Sequence, residues 1–128
     1  MADTVLDASA VVDLLLGNVM GEAVKLRVAG HALHAPAHVD AEALSAFGRL
    51  HRAAEIDAND VEAMLMRLAA APIQRHPVAG LLVAAWSRRH QLRLADALYV
   101  QLATSLAMPL ITTDRRLRSV PGVEALTG

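Results

Sequence analysis

The 128-residue sequence contains no cysteine, which excludes a disulfide framework, a thiolate metal site and a cysteine nucleophile. It has only three aromatic residues, Phe47, Trp86 and Tyr99, and this scarcity argues against a surface that stacks single-stranded bases. It also lacks a long uncharged apolar run, since Asp3 and Asp7 interrupt the N-terminal stretch where a signal peptide would carry basic residues. We therefore expect a cytoplasmic protein without a membrane segment.

Charge and composition limit the ways in which the protein can bind a partner. The formal net charge is −1, whereas a protein that binds nucleic acid mainly by coating phosphates is usually basic. Any contact with RNA is therefore expected to be local and assisted by metal ions. The apolar fraction is 55%, with Ala, Leu and Val dominant, and the length suits one domain over residues 1–128 with an aliphatic core.

Short β-prone runs alternate along the chain with segments of helical spacing. The predicted strands cover 4–6, 33–35 and 109–113, with weaker candidates at 73–75 and near Val123. The predicted helices cover 10–16, 19–29, 37–53, 58–71, 77–90 and 95–107. Ser9 is the expected N-cap of the first helix. The alternation is typical of βαβ units and predicts an α/β domain with a parallel sheet.

Four acidic residues stand at the junctions of these predicted elements. Asp7 follows the first strand and Asp114 follows the last clear one, while Glu42 and Asp96 lie early in helices. Ligands of an open parallel sheet bind beyond the carboxyl ends of its strands. We therefore expect the four carboxylates to meet at one rim of the sheet.

Carboxylates that meet in this way repel one another unless a cation lies between them. Oxygen ligands without His or Cys suit Mg²⁺ or Mn²⁺, which can activate water for attack on a phosphodiester. The hydroxyls of Ser9, Thr112 and Thr113 flank the acids and are candidates for orienting water or a phosphate. The pattern predicts a site for a divalent cation, and hydrolysis of a phosphodiester is one reaction that such a site can support.

Each acid also has a purely structural interpretation. Asp7 suits a helix N-cap, Glu42 a solvated helix position, Asp96 a helix cap and Asp114 an ordinary turn. Asp40 lies two residues before Glu42, and residues two apart on a helix point in different directions. The sequence leaves the role of Asp40 open.

The histidines invite a zinc interpretation that the sequence does not favour. His34, His38 and Glu42 follow one another at intervals of four, which is ligand spacing on a continuous helix. Pro36 between the two histidines opposes such a helix, and the Glu that follows the first His in metalloprotease helices is missing.

Two basic clusters flank the proposed site acids. One precedes Asp96 and the other follows Asp114; their members are Arg88, Arg89 and Arg93, then Arg115, Arg116 and Arg118. Either cluster alone is typical of a solvated helix end or turn. Their position beside the acids leads to the hypothesis that Arg88, Arg89, Arg93, Arg115 and Arg116 guide RNA to the metal.

Four stretches of the sequence resemble the PIN-domain family, and within it the VapC-type toxins of bacterial toxin–antitoxin pairs. They are VLDASAVV at 5–12, PAHVDAEAL at 36–44, LRLADALYVQLA at 92–103 and PLITTDRRL at 109–117. Their order and spacing agree with the family over nearly the full chain, and the last two together are quite specific. Asp40 departs from the family pattern, which usually has an apolar or small residue there.

The resemblance implies a three-layer α/β/α fold with a central, mostly parallel sheet. It implies a Mg²⁺- or Mn²⁺-dependent endoribonuclease that forms a homodimer and is held inactive by a cognate VapB-like antitoxin. The family roles assign metal coordination to Asp7, Glu42, Asp96 and Asp114, and Ser9 and Thr112 match hydroxyl positions of the family motif.

Three other functions are weighed against this one. A phosphatase of the haloacid-dehalogenase type also begins with a strand that ends in Asp, but it needs a second Asp where this chain has Ser9. A catalytically silent PIN-like binding module has no need of four gathered acids. An RNA-processing nuclease without an antitoxin shares the chemistry, and the sequence does not separate it from a toxin.

Overall fold

The structure, a computed structural model, describes residues 2–127 and is built on a five-stranded sheet. Its strands are β1 (Asp3–Leu6), β2 (Ala32–Pro36), β3 (Ile73–His76), β4 (Leu110–Thr112) and β5 (Val123–Ala125). Their order across the sheet is β3-β2-β1-β4-β5, and every neighbouring pair is parallel. The five predicted strands are confirmed, and the sheet of the described residues is entirely parallel.

Six helices connect these strands. They are α1 (Ala8–Leu16), α2 (Val19–Arg27), α3 (Val39–Arg52), α4 (Ala58–Ala70), α5 (Leu82–Trp86) and α6 (Leu94–Leu106). The connections from β1 to β2 and from β2 to β3 step in one direction across the sheet, and the connection from β3 to β4 returns in the other. Because parallel crossovers are right-handed, α1–α4 cover one face and α5–α6 the other. The predicted three-layer α/β/α arrangement is confirmed.

One predicted helix is much shorter than expected. The pattern over 77–90 predicts a single helix, but the chain forms a 3₁₀ turn over Ala79–Leu81, the five-residue α5 and then further turns. Gly80 weakens the start of the segment, and neither the 3₁₀ turn nor α5 has a side-chain cap at its N-terminus. The apolar spacing there reflects exposed side chains, including Val83 and Trp86, as well as buried ones.

The core is aliphatic, as the composition predicts. The central strands contribute Val5, Leu6, Leu110 and Ile111, each without exposed surface. Phe47 of α3 and Tyr99 of α6 are the largest fully buried side chains. Within residues 2–127, no helix has both the length and the apolar character needed to cross a bilayer.

Candidate active site

All four predicted site acids line one cavity of about 970 Å³ at the carboxyl ends of the central strands. Asp7 joins β1 to α1 and Asp114 follows β4, and these two strands are neighbours in the sheet. Glu42 and Asp96 lie in the first turns of α3 and α6. The structure thus brings the predicted quartet together by the route expected from the strand ends.

Asp7 is the most buried of the four acids, with 4% of its surface exposed. It caps α1, since Oδ1 accepts hydrogen bonds from the Ala10 backbone N–H at 3.0 Å and from Ser9 Oγ at 2.7 Å. Thr112 Oγ1 donates to Oδ2 at 2.5 Å. Burial nevertheless raises the pKa of Asp7 to about 6, because the lost hydration outweighs these hydrogen bonds, and the charge of Asp96 raises it further.

The N-cap of α1 is therefore Asp7 and not Ser9, so that prediction was wrong. An N-cap accepts from the N–H groups of the first turn, and the helix begins at Ala8, too early for Ser9 to serve. Ser9 lines the cavity and supports Asp7 instead. One carboxylate thus has both the structural role and the site position that the sequence presented as alternatives.

The three predicted hydroxyls form a network behind the acids. Ser9 Oγ lies 3.1 Å from Thr112 Oγ1 and accepts from the Thr113 backbone N–H at 3.2 Å. Thr112 Oγ1 also accepts from the Asp114 backbone N–H at 2.9 Å. Thr113 Oγ1 donates to Asp13 Oδ2 at 2.7 Å, which ties the loop after β4 to α1. The network fixes the loop that carries Asp114 relative to Asp7.

Asp96 and Asp114 have opposite electrostatic environments. Burial raises the pKa of Asp96, although Arg93, whose Nε lies 3.5 Å away, opposes this. Arg116 holds the pKa of Asp114 below its usual range, because its guanidinium makes a bidentate contact with the carboxylate. Arg116 Nε lies 3.0 Å from each oxygen of Asp114.

Glu42 is held by two aromatic side chains. Tyr99 Oη donates to Glu42 Oε1 at 2.6 Å, and His38 Nε2 lies 3.4 Å from the same oxygen. Asp40 is directed elsewhere, since its carboxylate accepts from Arg75 Nε at 3.2 Å and from Arg75 Nη2 at 3.0 Å. Asp40 is thus an ion-pair partner of β3 and is not among the residues that line the cavity.

The predicted basic residues separate into two groups. Arg93 and Arg116 line the cavity beside the acids. Arg88 instead donates to Gln101, Arg89 stacks on Trp86 with its guanidinium carbon 4.8 Å from the ring, and Arg115 lies in the 3₁₀ turn after Asp114. None of these three lines the cavity.

Sequence reasoning missed several polar residues that line the same cavity, among them Asp13, His38, Arg49 and Tyr99. Two of them follow from helical spacing. Arg49 is seven residues after Glu42 on α3, and Tyr99 is three residues after Asp96 on α6, and such spacings share a helix face. Of the two histidines in the zinc interpretation, His34 of β2 bonds to His76 and Asp3, whereas His38 lines the cavity.

The donor set fits a hard divalent cation. Four carboxylates line one cavity, and burial opposes the charge of Asp7 and Asp96, so a cation among them would relieve both burial and mutual repulsion. As the side chains stand, no three Asp, Glu or His residues within 2–127 approach closely enough to hold an ion. Arg116 pairs with Asp114 in this arrangement and occupies a carboxylate that could otherwise bind a cation.

Comparisons with known proteins agree over nearly the whole chain. A family model described as PIN domain matches residues 4–123. Ribonuclease VapC3 of Mycobacterium tuberculosis is 50% identical over 124 residues, which cover 95% of this chain and 90% of that protein. Ribonuclease VapC12 of the same species is 36% identical over 121 residues and 94% of each chain.

Solved structures with lower sequence identity share the fold. PAE2754 from Pyrobaculum aerophilum aligns with a TM-score of 0.69 at 22% identity, over 95% of this chain and 82% of that one. A chain from a toxin-antitoxin complex of Klebsiella pneumoniae aligns with a TM-score of 0.65 at 17% identity, over 96% and 97% of the two chains.

Proposed function

The chain belongs to the PIN domain family, and we propose that it is an endoribonuclease of the VapC type, the toxin of a toxin–antitoxin pair, whose active site is the four-acid cavity. The observation that carries this proposal is the meeting of Asp7, Glu42, Asp96 and Asp114 around one cavity at the ends of β1 and β4. The names of the relatives at 50% and 36% identity support RNA as the substrate.

The four carboxylates are the residues that would hold the metal, for which Mg²⁺ or Mn²⁺ is the best match to an all-oxygen donor set. A divalent ion bound there supplies a nucleophilic water at neutral pH and stabilises charge on the phosphodiester. Ser9 and Thr112 keep the Asp7 carboxylate in place, and Thr113 anchors the loop of Asp114. Arg93 and Arg116 line the cavity beside the acids, which supports their assignment as contacts to phosphate.

The proposed partners follow from the same assignment. A VapB-like antitoxin restrains the nuclease, and one of the structural relatives comes from a toxin-antitoxin complex. A homodimer is supported by exposed apolar side chains on neighbouring elements, namely Leu82, Val83, Trp86 and Leu94. Co-purification with the product of the adjacent gene and light scattering of the free protein test these two assignments. The proposed location of toxin and antitoxin is the cytoplasm.

Replacement of Asp96 by Asn tests the proposed function. We expect cleavage of a labelled random-sequence RNA pool in Mn²⁺ to fall at least about 100-fold, since the change removes one charged ligand and leaves the shape of the side chain. Asp40→Asn is the matched control and should keep cleavage within about twofold, because Asp40 pairs with Arg75 outside the cavity. Growth arrest on expression should follow the same pattern.

The outcomes separate the alternatives. Cleavage that persists in Asp96→Asn would place the active site elsewhere. A wild-type protein that neither cleaves RNA nor arrests growth would be a binding module. Cleavage without growth arrest and without a co-purifying antitoxin would indicate an RNA-processing nuclease.

Replacement of Arg116 is expected to have opposite effects on the affinity for metal and the affinity for RNA. Arg116→Gln should tighten Mn²⁺ binding about two- to fivefold, because it frees the Asp114 carboxylate from an exposed ion pair of modest strength. The same variant should weaken RNA binding in EDTA at low salt, since a cavity-lining positive charge is lost. Electron paramagnetic resonance of free Mn²⁺ and fluorescence anisotropy of labelled RNA measure the two effects.

Arg115→Gln is the control for this experiment, because Arg115 neighbours Arg116 but does not line the cavity. It should leave Mn²⁺ affinity unchanged. Equal Mn²⁺ affinities in Arg116→Gln and the wild type would show that Arg116 does not compete with the metal for Asp114.

A further inference from the structure

The buried hydroxyl of Tyr99 points to a role beyond core packing. Tyr99 is 1% exposed, and such a side chain needs a partner for its O–H. The partner is Glu42 Oε1, at 2.6 Å, on a different helix and 57 residues away in sequence. In this contact the phenol O–H donates and the carboxylate oxygen accepts.

Tyr99 also shares a helix with another site acid. Asp96 and Tyr99 are three residues apart in α6 and therefore lie on the same face of the helix, and both line the cavity. Through its contact with Glu42, Tyr99 connects the acid of α3 to the acid of α6. This hydrogen bond therefore links the carboxylate of Glu42 directly to the helix that carries Asp96.

His38 supports the same carboxylate from a second side. Its ring packs against Tyr99 with the centroids 4.6 Å apart, and its Nε2 lies 3.4 Å from Glu42 Oε1 and 3.3 Å from the Ala95 carbonyl oxygen. Both contacts to Glu42 fall on Oε1. Among residues 2–127, Oε2 of Glu42 has no hydrogen-bond partner, so this oxygen is available to a ligand.

We propose that Tyr99 is a positioning residue that fixes Oε1 of Glu42 and thereby presents Oε2 to the divalent cation. This inference rests on the proposed function, since it concerns the same four acids. Without the Tyr99 hydroxyl, the Glu42 side chain would have to be ordered by the cation itself, and the entropy of that ordering would weaken metal binding.

Tyr99→Phe tests the inference because it removes the hydroxyl and keeps the ring. We expect the dissociation constant for Mn²⁺, measured by electron paramagnetic resonance without RNA, to rise about 10-fold. The Mn²⁺ concentration for half-maximal RNA cleavage should rise in parallel, while cleavage at saturating Mn²⁺ stays within about threefold of the wild type. Ser105→Ala is the matched control, since it removes a hydroxyl of α6 that bonds to the Leu102 carbonyl oxygen within the helix.

A double-mutant cycle shows whether Tyr99 acts through Glu42. Glu42→Gln should weaken Mn²⁺ binding by itself, and adding Tyr99→Phe to it should produce little further loss, because the carboxylate that Tyr99 positions is already gone. If Tyr99→Phe fails to fold, Tyr99→Met replaces it, since the flexible Met side chain fills core space but lacks the hydroxyl, and it should weaken Mn²⁺ binding comparably.

The results distinguish a failure of the proposed function from a failure of the positioning role of Tyr99. If Glu42→Gln does not change Mn²⁺ affinity and the wild type does not cleave RNA, the proposed function is wrong. If Glu42→Gln weakens Mn²⁺ binding but Tyr99→Phe does not, or if the two losses simply add, only the positioning role of Tyr99 is wrong.

Discussion

Asp7→Asn is expected to stabilise the protein at neutral pH while it abolishes RNA cleavage. The Asp7 carboxylate is buried, and its pKa is raised from 3.8 to about 6. Keeping it ionised in the folded protein therefore costs up to about 3 kcal/mol above pH 6. An Asn side chain avoids this cost and is an equally good N-cap for α1, since its Oδ1 can accept the Ala10 N–H.

The pH dependence follows from the direction of the pKa shift. The unfolded chain ionises Asp7 near pH 4 and the folded protein only near pH 6, so the stability of the wild type falls as the pH rises through this interval. The stability of Asp7→Asn should not fall over this interval, and the difference in stability between the variant and the wild type should disappear at about pH 4. Urea unfolding at pH 4, 5, 6 and 7.5 in EDTA measures the difference.

Mn²⁺ provides the control for this prediction. It should stabilise the wild type, whose Asp7 charge it compensates, and it should stabilise Asp7→Asn much less. A variant that is less stable than the wild type at pH 7.5 in EDTA would show that the Asp7 carboxylate contributes more through its hydrogen bonds than it costs through burial.

Gly21→Ala is expected to destabilise the fold by about 3 kcal/mol, the largest loss expected for a Gly→Ala change among the glycines of residues 2–127. A Cβ built at Gly21 would lie 1.9 Å from the Asp13 carbonyl oxygen and 2.7 Å from its carbon. These are backbone atoms of α1, so α1 and α2 would have to move apart. Asp13 anchors Thr113 and Asn18 through its side chain, so RNA cleavage should fall as well.

Gly48→Ala is the matched control and should have the opposite sign. Gly48 lies inside α3, and the nearest atom to an added Cβ is the end of the flexible Arg52 side chain at 3.5 Å. Ala should therefore stabilise the helix by about 0.5–1 kcal/mol. Urea unfolding of the two variants at one pH gives the comparison, and equal destabilisation of both would remove the steric explanation for Gly21.

Helices and strands were predictable from the sequence wherever the local pattern of apolar residues matches the side chains that are buried in the fold. The five strands and the helices α1–α4 and α6 follow from alternation, helical spacing and turn residues, which act over a few positions of the chain. The segment 77–90 was not predictable in this way. Apolar side chains such as Val83 and Trp86 have helical spacing there without a common buried face, so the pattern overstates the helix.

The candidate site was predictable as a set of residues but not as a set of contacts. Strand ends and early helix positions placed Asp7, Glu42, Asp96 and Asp114 at one rim, and the structure gathers them around one cavity. The sequence offered cap or ligand as alternatives for Asp7, whereas one carboxylate in the structure both caps α1 and lines the cavity. The metal-binding roles of all four acids stay a prediction that the variants above address.

The sequence by itself determined the fold class, the family and the four acids, because these depend on residue types at short spacings and on their order along the chain. Only the tertiary structure decided that Asp40 pairs with Arg75, that Arg116 covers Asp114 and Arg88 does not approach the acids, and that Tyr99 holds Glu42. The Tyr99–Glu42 and Thr112–Asp7 hydrogen bonds join residues 57 and 105 positions apart. Such pairs meet only after right-handed crossovers have set the strand order and packed α3 and α6 against the same end of the sheet.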